Sequence, residues 1–197
     1  MLFDLGNVIF YFSFANAFKR LKETCGLSLR TVEGYFTDSG LEVLYDGGKI
    51  SSRRFFREVK EALRLSLSYG DFKDIWNGIF TPNQPMLGLI RRISSHHRLV
   101  LLSNINAMHF RHLTETYRPL MRRFDGFVLS FKEGVRKPDE RIYRAAASAC
   151  SARPDQIFYI DDRPEMTEMA RGLGFQTFTY RRNHPALLRT MRGLGVL

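Results

Sequence analysis

Three carboxylates, one hydroxyl and one lysine stand where short apolar runs give way to polar residues. Asp4 follows Leu2-Phe3. Ser103-Asn104 follows Arg98-Leu99-Val100-Leu101-Leu102, and Asp161-Asp162 follows Gln156-Ile157-Phe158-Tyr159-Ile160. Lys137 directly precedes Pro138 and a helical pattern. In open parallel sheets ligands sit at the carboxyl ends of the strands, so these residues are expected to converge on one edge. Such a set suits phosphoryl transfer, which needs a nucleophile, a hard cation to gather charge, and donors for the phosphoryl oxygens. A carboxylate can be the nucleophile, forming an acyl phosphate that water then hydrolyses. Asp4 and Asp162 can offer oxygens to Mg2+, which prefers such ligands. Ser103 can bond a phosphoryl group and Lys137 can neutralise it, with the positive end of a helix starting at Pro138 beside them.

The elements that must hold these residues follow the same pattern. Continuous apolar runs of four or five residues fit strands covered on both faces. Gly126 to Ser130 and Phe175 to Tyr180 read as two more. Helical stripes separate the runs: Pro138 to Cys150 carries Ile142, Tyr143, Ala146 and Ala149 on one face, and Pro164 to Gly172 is similar. Alternating strands and helices predict an α/β core with a Rossmann-like parallel sheet. Between about Ser13 and Pro85 the pattern turns all helical, with candidates at Asn16 to Cys25, Leu29 to Phe36, Ser51 to Leu65 and Tyr69 to Phe80. The expected division is a core of residues 1–12 and 86–197 with a helical insert over 13–85, and Thr81-Pro82-Asn83-Gln84-Pro85 as the hinge. Only three residues precede Asp4, so the first strand is either brief or begun upstream.

The order of the motifs carries a resemblance. Phe3-Asp4-Leu5-Gly6-Asn7-Val8, Leu101-Leu102-Ser103-Asn104, Lys137-Pro138 and Ile160-Asp161-Asp162 resemble, in sequence, the four motifs of the haloacid dehalogenase-like hydrolases. The helical insert is similar to the C1 cap of one of their branches. Asp-Leu-Gly-Asn at 4–7, with Tyr45-Asp46-Gly47-Gly48-Lys49-Ile50-Ser51, most resembles sugar-phosphate phosphatases of the glucose-1-phosphatase type. The resemblance implies a magnesium-dependent phosphatase acting on a small phosphorylated metabolite, such as a sugar phosphate, through a phospho-enzyme on Asp4. It implies metal ligands at Asp4, the Gly6 carbonyl and Asp162, with Asp161 acting through a metal-bound water. Ser103, Asn104 and Lys137 would hold the phosphoryl group.

One position departs from the pattern. Most phosphatases of this family carry an aspartate two residues after the nucleophile as general acid and base; here that position is Gly6. Three readings stand: a substrate with a good leaving group, such as a sugar 1-phosphate; help from another group, Asn7 through a water or an insert residue; or a slow or inactive protein. Two alternative functions remain beside the phosphatase. A 2-haloacid dehalogenase would use Asp4 without metal. A catalytically weak member would act as a binding or regulatory protein.

Several features read more plainly. The net charge is +10, but the arginine pairs are scattered without a long basic run, so a solvated surface is expected rather than a nucleic-acid partner. No apolar run approaches the roughly 20 residues that span a bilayer. Cys25 and Cys150 are expected as free thiols in a reducing, cytoplasmic setting. His109 and His112, three apart, read as an ordinary helix face, Trp76 as packing within the insert, and Arg163 as a surface residue or a substrate contact. Phe10, Tyr11, Phe12 and Phe14 suit either the entrance of the insert or packing. Oligomeric state has no signal.

Overall fold

The computed structural model describes all 197 residues. A five-stranded parallel sheet has the order β5-β4-β1-β6-β7. Its strands are β1 (Leu2–Phe3), β4 (Val100–Ser103), β5 (Gly126–Leu129), β6 (Phe158–Asp161) and β7 (Gln176–Thr179). The two-residue β1 lies at the centre, with Leu2 opposite Val100 on one side and Tyr159 on the other. Brevity costs it little, because the Asp4 N–H continues the ladder to the Ile160 carbonyl at 2.8 Å.

Strand side chains alternate between faces, and the core divides accordingly. Phe3, Leu101 and Ile160 pack with α6 (Gln84–Ile93) and α12 (His184–Gly193) through Met86, Ile90, Leu187 and Met191. Leu2, Val100, Leu102 and Tyr159 pack on the other face with α10 (Glu140–Cys150) and α11 (Pro164–Gly172) through Ile142, Tyr143, Ala146 and Ala170. Covering both faces is what lets these strands be apolar throughout. The expected Rossmann-like α/β core is the one found.

Between β1 and the rest of the sheet come α1 (Ala15–Glu23), α2 (Leu29–Asp38), α3 (Leu41–Asp46), α4 (Ser52–Leu63) and α5 (Tyr69–Asn77). They close a third cluster built on aromatic rings, Phe36, Phe55, Phe72 and Trp76 among them. Ser51 and Ser68 cap α4 and α5 by accepting the backbone N–H of Arg54 and Asp71. Helix α3 escaped the sequence reading because six residues carry too little periodicity to recognise. The segment expected to be a hinge is a ribbon: β2 (Phe10–Phe12) pairs antiparallel with β3 (Phe80–Pro82), and Asn83-Gln84-Pro85 opens α6. Asn83 pins the ribbon to the core, donating through Nδ2 to the Val8 carbonyl at 2.7 Å and to the Tyr180 hydroxyl at 3.1 Å. No helix is long and apolar enough to cross a membrane. Cys25 and Cys150 are free thiols.

Candidate active site

The carboxyl ends of β1, β4 and β6 bring Asp4, Ser103 and Asp161-Asp162 to one edge of the sheet, as the spacing predicts. Between β5 and α10 come α9 (Ser130–Glu133) and a loop that delivers Lys137 to the same point. Its Nζ lies 2.7 Å from Asp4 Oδ1 and 2.6 Å from Asp161 Oδ2, and contacts the Leu102 carbonyl and the Tyr159 hydroxyl at 3.2 and 3.1 Å. Asp4, Ser103, Lys137 and Asp161 are all buried. Asn104 does not face outward: its Nδ2 donates to the Lys137 carbonyl at 2.9 Å, and its Oδ1 accepts the Lys137 N–H at 2.8 Å. This reciprocal pair holds the lysine backbone against β4.

The helix expected to begin at Pro138 begins two residues later. Asp139 is its N-cap, accepting the Arg141 N–H at 2.9 Å, so Lys137 lies in the preceding loop rather than at a helix end. A short polar side chain that can take the cap sets the boundary.

Oxygens of Asp4, Asp161 and Asp162 lie within 4.8 Å of one another. Both Asp161 oxygens have protein donors: Oδ2 takes Lys137 and the Tyr159 hydroxyl, and Oδ1 takes the Arg163 N–H at 2.9 Å. Asp162 Oδ2 accepts Asn7 Nδ2 at 3.1 Å. Asn7 adopts a left-handed φ of 53°, which asparagine tolerates better than most residues, and this turn aims its amide at Asp162. Asn7 thus orients a carboxylate.

The charges leave their mark on the titration of the cluster. Burial pushes the Asp4 carboxyl up to about 7; Lys137 opposes the rise, while Asp161 and Asp162 reinforce it. Asp162 is raised as well, first by burial and then by Asp161. Burial disfavours the Lys137 cation, but Asp4 and Asp161 overcome it and hold the ammonium more firmly than usual.

A cleft of about 240 Å3 opens over this cluster, lined by Asp4, Gly6, Asn7, Ser103, Lys137 and Asp162 on the sheet side. Its far wall comes from the helical insert, through Phe14, Glu42, Asp46 and Trp76, and from Asn106, His109 and Arg136. Phe12 contributes the ribbon's ring. A Cβ added at Gly6 would lie 3.0 Å from Phe12 Cε1 and 3.8 Å from Asp4 Oδ2. The ring therefore stands where a side chain at position 6 would begin.

His109 is not an ordinary surface helix residue. It is buried on α7 (Ala107–Thr116), with Nε2 3.0 Å from the Trp76 carbonyl and Nδ1 3.1 Å from Asn106 Nδ2. A carbonyl and an amide NH2 as partners require the neutral ring protonated on Nε2. Burial pushes its pKa down to about 3. Arg163 lines the cleft but pairs with Glu165 in solvent. Trp76 belongs both to the insert's core and to the cleft wall. The contributions of Glu42, Asn106, Arg136 and Tyr159 were not anticipated from sequence.

No family model matches the chain. It is 23% identical over 149 residues to D-ribitol-5-phosphate phosphatase of Bacteroides thetaiotaomicron, covering 73% of this chain and 72% of that protein. It is 25% identical over 176 residues to the sesquiterpene phosphatase astK of Aspergillus oryzae, covering 88% and 85%. Among solved structures, a HAD family enzyme from B. thetaiotaomicron in complex with magnesium and inorganic phosphate superposes with a TM-score of 0.82 at 23% identity, covering 92% of this chain and 93% of that one. A HAD-like family hydrolase from Porphyromonas gingivalis gives 0.81 at 25%, covering 97% and 96%. This sheet, with four ordered motifs gathered at one edge of it, is thus similar in fold to HAD family enzymes, and the chain resembles the haloacid dehalogenase-like hydrolases.

Proposed function

We propose that the chain is a magnesium-dependent phosphatase of small phosphorylated metabolites, sugar phosphates among them, working through an aspartyl-phosphate on Asp4. The carrying observation is the buried Asp4 carboxylate held by Lys137 at the floor of a cleft, with oxygens of Asp161 and Asp162 within 4.8 Å. The donor set fits a hard cation: the oxygens are close, mutually repelling and only partly met by protein donors. Asp4, Asp162 and the Gly6 carbonyl would hold Mg2+, with Asp161 behind them. When bound, the ion supplies positive charge against the carboxylates and the phosphoryl oxygens. A relative's structure with magnesium and phosphate supports this reading.

In the first step an Asp4 oxygen attacks phosphorus and the bond to the leaving oxygen breaks. Lys137, fixed by Asn104, holds Asp4 and meets charge on the transferring group. Ser103, buried at the end of β4, is placed to bond a phosphoryl oxygen. Water then hydrolyses the acyl phosphate and restores Asp4. Residues 13–85 act as the cap that keeps bulk water from this intermediate. With Gly6 in place of an acid, the leaving oxygen takes its proton from elsewhere, which favours substrates with good leaving groups. A metal-free dehalogenase finds less support, because it has no use for a third carboxylate at Asp162.

Phosphate release from phenyl phosphate tests the proposal, with Mg2+, with chelator, and with Asp4→Asn. Release that needs the ion and vanishes in the variant is expected. Absence of release by folded wild-type protein overturns the phosphatase reading.

A further inference from the structure

The sheet side of the cleft accounts for a phosphoryl group, but the wall opposite carries polar groups that this chemistry does not use. Helix α3 places Glu42 and Asp46 one turn apart, hence on one face. That face is pinned. Ser130 Oγ donates to the Asp46 carbonyl at 2.5 Å, and Asn106 Nδ2 donates to Asp46 Oδ1 at 3.2 Å. Arg136 immediately precedes Lys137, so the loop that delivers the lysine to the phosphoryl end also delivers a guanidinium to the wall.

These groups are incompletely paired. Arg136 Nε is buried without a hydrogen-bond partner. The guanidinium approaches Asp46 Oδ2 only to 3.7 Å, an ionic contact too long for a hydrogen bond. Trp76, 1% exposed, also lines the cleft, and its indole N–H has no partner.

We infer that Glu42, Asp46 and Arg136, with the Trp76 indole, form a hydroxyl-binding site that selects phosphomonoesters of polyhydroxylated alcohols, sugar or polyol phosphates. The inference rests on the phosphatase reading above. A buried polar group left unpaired costs roughly 1–3 kcal/mol, so the occupant of the wall must supply both donors and acceptors. Hydroxyls do both, accepting from Arg136 and Trp76 and donating to the carboxyls. A prenyl chain would do neither. A second phosphate would satisfy Arg136 but meet Glu42 and Asp46. The rings of Phe12 and Phe14, which also line the cleft, offer apolar surface to the C–H side of such a chain. The Glu42 carboxyl, raised to about 7 by burial and by Asp46 against the pull of Arg136, can donate as well as accept near neutral pH.

The test compares ribitol 5-phosphate, farnesyl phosphate and phenyl phosphate with wild type, Glu42→Gln and Arg136→Met, under Mg2+. Wild type should show the lowest KM for the polyol phosphate, although its alkoxide leaves less readily than phenoxide. Each variant should lower the ratio of kcat/KM for ribitol 5-phosphate to that for phenyl phosphate by roughly tenfold, the worth of one lost charged hydrogen bond, mainly through KM. Preference for farnesyl phosphate, or equal losses on all substrates, overturns the inference. So does a fall in kcat at constant KM that steepens with the basicity of the leaving group, since Glu42 would then be a proton donor. Failure of wild type on phenyl phosphate would instead fault the phosphatase reading. Calorimetric binding of ribitol 5-phosphate and phenyl phosphate to Asp4→Asn, with and without Arg136→Met, reads the same selectivity without turnover. Equal affinities for the two there would also overturn it.

Discussion

Lys137 Nζ lies 2.7 Å from Asp4 Oδ1 across 133 residues of chain, and the same ammonium lies 2.6 Å from Asp161 Oδ2. One buried cation thus lies between two buried carboxylates. Replacing it by Lys137→Met should destabilise the metal-free protein by roughly 3–5 kcal/mol, because it leaves like charges uncompensated. Urea unfolding measures this. The loss should be smaller at pH 5 than at pH 8, since an Asp4 carboxyl already raised to about 7 takes up a proton at the lower pH and relieves the repulsion.

Magnesium should stabilise the folded chain. An ion at about 100 times its dissociation constant adds about 2.7 kcal/mol if it binds only the native state. Thermal unfolding with and without Mg2+ should show the rise in wild type and a much smaller one in Asp162→Asn. An equal rise in both would remove Asp162 from the ligand set.

Gly6 and Phe12 act as a pair. A carboxylate introduced by Gly6→Asp meets the Phe12 ring at its first carbon. Phe12 is 41% exposed, so the ring can be removed at little cost to the core. Gly6→Asp should therefore raise turnover of alkyl phosphates, which leave poorly, and more so with Phe12→Ala. The expected gain in the double variant is roughly 10- to 100-fold, at the low end of general acid catalysis. Unchanged rates on alkyl phosphates in both variants would mean that another group already protonates the leaving oxygen.

Gly48 anchors α3 to the core. Its φ is 69°, and a Cβ there would lie 2.2 Å from the Phe131 carbonyl oxygen. Gly48→Ala combines a strained backbone with a backbone clash and should cost more than about 1 kcal/mol. It should also raise KM by moving Glu42 and Asp46, whereas phosphate release from phenyl phosphate should fall less. Thermal unfolding and steady-state kinetics read the two effects.

His109 makes stability depend on pH with a defined sign. Its folded pKa, about 3, lies below the ordinary 6.5, so between those values the unfolded chain binds the extra proton. Its contribution is complete above pH 6.5 and is lost as pH falls, by about 1.4 kcal/mol per pH unit. Asp4 and Glu42, both raised, act in the opposite direction over part of that window. The check is therefore the difference between wild type and His109→Gln in urea unfolding from pH 7 to pH 4. The variant should show the shallower loss.

Much of the cluster around Asp4 was legible because its members follow recognisable runs. Asp4, Ser103 and Asp161-Asp162 end apolar strands buried on both faces, and a parallel sheet brings such ends together whatever the loops do. Lys137 was legible through the helix that follows it, although a cap at Asp139 moved that helix. Tyr159 left a faint signal: two residues before Asp161 on one strand, it shares that residue's face.

The opposite wall left no such trace. Helix α3 is one and a half turns long, and Arg136 reads like any other arginine in a basic chain. Phe12 reaches Gly6 through the turn between them, where the Asn7 N–H donates to the Phe10 carbonyl at 2.7 Å, and the pairing of β2 with β3 holds that strand in place. His109 is buried because rings from the helical insert close over it. Strand order and the polar residues that end the strands are repeated local patterns, so the sequence by itself determined the fold class and which residues meet at that edge of the sheet. Which side chains face that edge across the cleft depends on contacts between segments distant in the chain, and only the tertiary structure decided them.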